Sequence, residues 1–152
     1  MKCFSISICL LLLAVTSATC GGDLPVSTQA QQGKVAAGPV TDYASLIDKL
    51  RTAGVSVEPA GEVEQPFLSI IGKMIKLYDE DVQVFQYSSA AEMEAQAAPI
   101  SRDGMAVGTR KIFWVGPPHF FKQGRLLVLY VGDNDKVLKA LEAVLGRQFA
   151  GQ

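Results

Sequence analysis

The chain predicts an α+β fold: a single domain with a mostly antiparallel sheet, its elements running helix, strands, helix, strands, helix. Three observations predict it. The segment Leu126-Leu127-Val128-Leu129-Tyr130-Val131 is apolar on both alternating faces, as a central strand covered on both sides must be. Segments with helical apolar spacing, each with its own start and stop residues, open, divide and close the folded part. The connections between extended segments are short, which suits hairpins and leaves no room for the long crossovers of parallel pairing.

Taken in order, Thr41 can cap a helix with Asp42 in its first turn, and Tyr43, Leu46, Ile47 and Leu50 then share one face. Gly54 stops it. Residues 55–58 form a short extended piece broken by Pro59 and Gly61. After Gln65-Pro66 a longer extended stretch covers residues 67–78, where Gly72 marks a bulge or a close backbone approach. Asp79-Glu80-Asp81 reads as a turn into a strand over residues 82–87. That strand puts Val82 and Val84 on one face and Phe85 and Tyr87 on the other, completing a hairpin.

Ser89 with Glu92 three positions on has the form of a capping box, and it opens an Ala-rich helix that Pro99 closes. Asp103-Gly104 marks a turn before a strand over residues 107–115, which carries Ile112, Phe113, Trp114 and Val115. Gly116-Pro117-Pro118 interrupts it, residues 119–122 resume in extended form, and Gln123-Gly124 turns the chain into the central strand. Asp133 then caps a last helix with Val137, Leu138, Leu141, Val144 and Leu145 on one face, stopped by Gly146.

Ahead of this domain, residues 1–19 have one early Lys2 and an unbroken apolar run followed by small residues. The run is too short to span a bilayer comfortably and matches the core of an export signal peptide. Two processing routes are open. Ser17-Ala18-Thr19-Cys20 resembles the lipobox of bacterial lipoproteins, with Thr19 as a departure from the usual small residue, which would make Cys20 the lipid-attachment residue. Alternatively, Thr16-Ser17-Ala18 is an ordinary cleavage site and the product is soluble and secreted.

Cys3, Cys9 and Cys20 are the only cysteines, so a chain starting at Cys20 keeps one and has no internal disulfide. Residues 20–40 are rich in Gly, Gln, Ala, Pro and Ser without apolar periodicity, the composition of a flexible tether with a reach of about 25 Å. The folded domain is then residues 41–152, long enough for one core without disulfides or metal.

The formal net charge of −1 provides no basic face for phosphates and argues against a nucleic-acid partner. His119 is the only histidine, so a hydrolytic relay would have to join it to Ser88, Ser89 or Ser101, none of which sits in a nucleophile-elbow motif. Asp79, Glu80 and Asp81 lack the alternating spacing of a calcium loop, and Asp133 and Asp135 suit a helix start. Gly104 and Gly108 precede a strand and form no phosphate-cradling loop. No cofactor or metal is expected.

Two prolines and three large rings gather around one hairpin, so Trp114, Pro117, Pro118, His119, Phe120 and Phe121 are the candidate binding surface if that hairpin lies at a sheet edge. The opposing reading packs the rings into the core.

Val82-Gln83-Val84-Phe85-Gln86-Tyr87, Ile100-Ser101-Arg102-Asp103-Gly104, Pro118-His119-Phe120-Phe121-Lys122 and the run from Gly124 to Gly132 resemble a group of small bacterial lipoproteins of unknown function. The resemblance implies an exported, lipid-anchored α+β domain and no activity. The expected role is an extracytoplasmic binding or interaction module that meets an envelope protein or an apolar ligand, with no nucleic-acid partner. The alternative is a small enzyme or accessory factor using His119 with a nearby carboxylate.

Overall fold

A computed structural model describes residues 38–151. In chain order the elements are α1 (Tyr43–Thr52), β1 (Val57–Val63), β2 (Gly72–Leu77), β3 (Glu80–Gln86), α2 (Ala90–Ala97), β4 (Ala106–Val107), β5 (Arg110–Lys111), β6 (Pro118–Gln123), β7 (Leu126–Val131), α3 (Asp135–Leu145) and β8 (Ala150–Gly151). Six strands form one sheet in the order β1-β2-β3-β7-β6-β8, with every pairing antiparallel, and β4-β5 make a separate small ribbon. The α+β class, the mostly antiparallel sheet and the helix-strands-helix-strands-helix order are those the sequence predicts, except that the two-residue strand β8 follows the last helix. The export signal, Cys20 and most of the tether lie outside the described residues.

Alternation along the strands divides the core in two. Ile75, Leu77, Val82, Val84, Phe121, Leu126, Val128 and Tyr130 meet Leu46, Ile47 and Leu50 of α1 and Val137, Leu141 and Leu145 of α3 on one face. On the other face Phe85, Phe120, Leu127 and Leu129 meet Met93 and Ala97 of α2, Ile100 and Ala150, with Trp114, Phe67 and Phe149 packed around them. β7 sits between β3 and β6, and five of its six residues are buried. Its double apolar character is thus that of a strand with helices on both faces.

Local signals hold with small shifts. Asp42, not Thr41, caps α1, because its carboxylate accepts the Ser45 N–H at 3.0 Å while the Ser45 hydroxyl accepts the Asp42 N–H at 3.0 Å. Asn134, not Asp133, caps α3 through the Lys136 N–H. Ser89 caps α2, but Glu92 reaches back to Ser88 rather than to Ser89, so the reciprocal half of the box is displaced by one residue. Val40, assigned to the tether by its neighbours, is buried in the core. The domain therefore begins before Thr41.

Larger differences have sheet-level causes. Pro59 and Gly61 do not break the first strand: β1 runs through both, with a register shift between them. It pairs on one side only, where a missing N–H can face solvent and a bulge costs little. Residues 67–71 are not extended, and β2 starts at Gly72, where an added Cβ would lie 2.5 Å from the Phe85 ring. Gly72 is thus a close-approach glycine and not a bulge. The β2–β3 turn is Tyr78-Asp79, both with positive φ (52° and 68°), which is the two-residue geometry that matches strand twist; Glu80 and Asp81 already belong to β3. The expected strand over residues 107–115 is replaced by the β4-β5 ribbon and an irregular run.

Hydrogen bonds from Ser45, first its backbone N–H and then its hydroxyl, hold the Asp42 carboxyl below the usual range, with Arg125 at 3.6 Å adding to the effect. A carboxyl lowered in the folded state contributes stability above its unfolded pKa of about 3.9 and loses it as pH falls through the folded value. Asp42→Asn, which keeps a capping oxygen, is expected to change neutral-pH stability little and to flatten the acid limb of the stability curve below about pH 4. Urea unfolding of both proteins between about pH 2 and 5 is the check; identical acid slopes would assign the loss to other carboxylates.

Candidate interaction surface

The hairpin that the sequence offers as a surface is interior. Its strands β6 and β7 lie within the sheet, Phe120 and Phe121 point to opposite covered faces, and both are fully buried. Pro118 is also buried, while Trp114 and Pro117 are half-buried. Two tertiary contacts remove the expected edge. β8 pairs with β6 at His119 and Phe120, and the Phe149 N–H donates to the Phe120 carbonyl at 3.0 Å. As a docking surface, Pro118, His119, Phe120 and Phe121 are therefore withdrawn.

His119 is 5% exposed. Its ring stacks on Tyr130 with centroids 6.0 Å apart, and its Nδ1 lies 2.7 Å from the Gln148 Oε1. An amide oxygen only accepts, so Nδ1 is the donor in this contact. The His119 Nε2 is buried without a hydrogen-bond partner among the described residues.

The three serines considered as nucleophiles are engaged elsewhere. Ser88 donates to Glu92, Ser89 accepts the Glu92 N–H, and Ser101 bonds to Asp103 and accepts the Ala106 N–H. Hydrogen bonds from the Ser101 hydroxyl and then the Met105 N–H hold the Asp103 carboxyl below its ordinary range, as a turn-stabilising acid. Burial pushes the Tyr87 hydroxyl up to about 12, with Glu92 adding to the shift. Among the described residues no three His, Cys, Asp or Glu side chains are grouped as metal ligands.

The exposed apolar groups lie next to the expected ones. Phe113 is 92% exposed and Val115 is fully exposed, whereas Trp114 between them turns inward. The indole stacks edge-on between Phe67 at 5.8 Å and Phe120 at 5.9 Å, and its Nε1–H donates to the Gly104 carbonyl at 2.9 Å. With Trp114 anchored inward, Phe113 and Val115 on either side of it stand in solvent. Burying either would be worth about 1.5–3 kcal/mol, so the pair is a substantial unspent surface.

Arg110 and Lys111, both exposed, immediately precede this run. Phe67 belongs to the β1–β2 loop, whose residues Glu64, Gln65, Pro66, Leu68 and Ile71 line an open cavity of about 470 Å³. The Trp114–Phe67 contact thus joins the two loops into one surface, with Ile71 also largely exposed.

The chain enters the domain at the other end of β6. Thr41 packs against Gly124 of the β6–β7 turn, where an added Cβ would lie 2.8 Å from the Thr41 Cα, while Gly116 lies beside Gly132. Six strand residues, about 20 Å, separate those ends.

Comparison with protein-family models, with curated proteins and with solved structures finds no match. Among the described residues no helix is long and apolar enough to cross a membrane.

Proposed function

We propose that this protein is an extracytoplasmic interaction module, held at a membrane by lipid on Cys20 and a tether, that meets its partner through Phe113 and Val115. The carrying observation is the near-complete exposure of these two large apolar side chains, beyond the partial exposure of Ile71 and Tyr78. Contiguous exposed apolar surface is a mark of interaction sites. The proposal keeps the sequence-based role and moves its surface from Trp114 and residues 117–121 to Phe113 and Val115. A non-catalytic role is supported by His119, whose ring bonds a neutral amide rather than an acid or a hydroxyl.

Two measurements test this. Wild-type protein is expected to partition into detergent, and Cys20→Ala to move to the aqueous fraction or to persist as precursor; equal partitioning with normal processing would refute the anchor. In cells, a photo-crosslinking amino acid at position 113 is expected to yield a discrete adduct that is absent when the crosslinker sits at the exposed Thr109. Failure to crosslink from both 113 and 115 would remove the surface.

A further inference from the structure

We propose that residues 113–115 bind an extended polypeptide segment as an added β-strand, and that the segment alternates apolar with acidic side chains. This rests on the reading of Phe113 and Val115 as the interaction surface and names the partner's chemistry.

Three observations lead to it. The first is the backbone. The N–H and C=O groups of Phe113, Trp114 and Val115 have no hydrogen-bond partner among the described residues, although the Ile112 N–H just before them donates to the Met105 carbonyl at 2.9 Å. A run of unpaired main-chain groups beside a fixed ribbon is the template on which strand addition occurs.

The second is side-chain alternation. Trp114 is held inward by Phe67, Phe120 and the Gly104 carbonyl, while Phe113 and Val115 on either side of it are exposed. An added strand would cover those two side chains with its own alternate side chains.

The third is charge. Arg110 and Lys111 stand exposed at the start of the run, and neither is in an ion pair among the described residues. Their complement is a carboxylate, which selects an acidic segment and opposes a basic one.

The same observations weigh against a bilayer as occupant. Hydrocarbon would cover Phe113 and Val115 but would leave the neighbouring backbone groups unpaired.

Trp114 is the only tryptophan, so its emission reports directly on this segment. The full chain in detergent micelles is applied to an array of peptides of about eight residues, an ordinary strand length. The peptides carry Val, Ile, Leu or Phe at alternate positions and Asp, Asn or Lys between them. Expected are retained peptides drawn from the Asp set, binding that shifts Trp114 emission, and at least about tenfold weaker binding when alternate peptide nitrogens are methylated. Phe113→Ser with Val115→Ser is expected to abolish retention with an unchanged melting temperature, since both side chains are exposed.

Any one of the following results would overturn the proposal: no peptide binding tighter than about 1 mM, preference for the Lys set, indifference to N-methylation, or tighter binding to phosphatidylglycerol vesicles through the same two residues. Self-association removed by the double substitution would assign the surface to a second copy of this chain and overturn the heterologous strand. Indifference to N-methylation together with a discrete adduct from position 113 would sink strand addition and leave the interaction module standing.

Discussion

Phe120→Ala is expected to destabilise the domain by about 3–5 kcal/mol, the range for deleting a large buried ring and a large part of a small domain's stability. Phe120 is completely buried. Its ring lies 5.9 Å from Trp114 and 6.2 Å from Phe149, while its backbone pairs with Leu129 on one side and Ala150 on the other. Truncation would leave a void where β6, β8 and the Trp114 run converge, and those elements cannot all collapse into it. Chemical denaturation is the measurement. A loss below about 1 kcal/mol would mean that Phe120 is a surface residue after all.

Leu129→Ala is the second large effect, about 2–5 kcal/mol, and Leu127→Ala falls in the same range. Both side chains are fully buried on the α2 face of β7, where Leu129 stands opposite Gln83 on one side and Phe120 on the other. Phe113→Ala supplies the contrast. It removes a larger side chain from a 92% exposed site and is expected to change stability by no more than about 0.5 kcal/mol. If the leucine substitutions cost no more than Phe113→Ala in the same denaturation series, β7 is not the central strand and the two-sided core is wrong.

The contrast between residues 126–131 and residues 112–115 shows where sequence reasoning reaches its limit. Both runs are apolar on both alternating faces. The first is sandwiched between two helical layers, whereas the second has a single layer beneath it and leaves Phe113 and Val115 bare. Periodicity records which side chains point together, not whether anything lies opposite them. A pointer toward the exposed pair did exist in the basic Arg110-Lys111 ahead of it and in the Gly108-Thr109 turn that shortens the pairing, but neither says which of the two faces stays open.

Pro59 shows the same limit from the other side. Its ring would exclude it from a central strand, and only the knowledge that β1 is an edge makes the unbroken strand acceptable. His119 was legible as a residue of an extended segment, but its partner was not: Gln148 lies 29 positions away in the chain, and the β8 contact that brings it close occupies only two residues.

By itself the sequence determined the class, the element order, the inward faces of α1, α3, β3 and β7, and the stops at Gly54 and Gly146, because each depends on short-range periodicity or on a backbone preference of one residue. Tertiary structure alone decided which hairpin was interior, which strand was an edge, and that the exposed rings would be Phe113 and not Phe120. Those outcomes depend on what packs against each face and on how β8 closes the side of β6. Contacts between segments far apart in the chain set them, and no local pattern encodes such contacts.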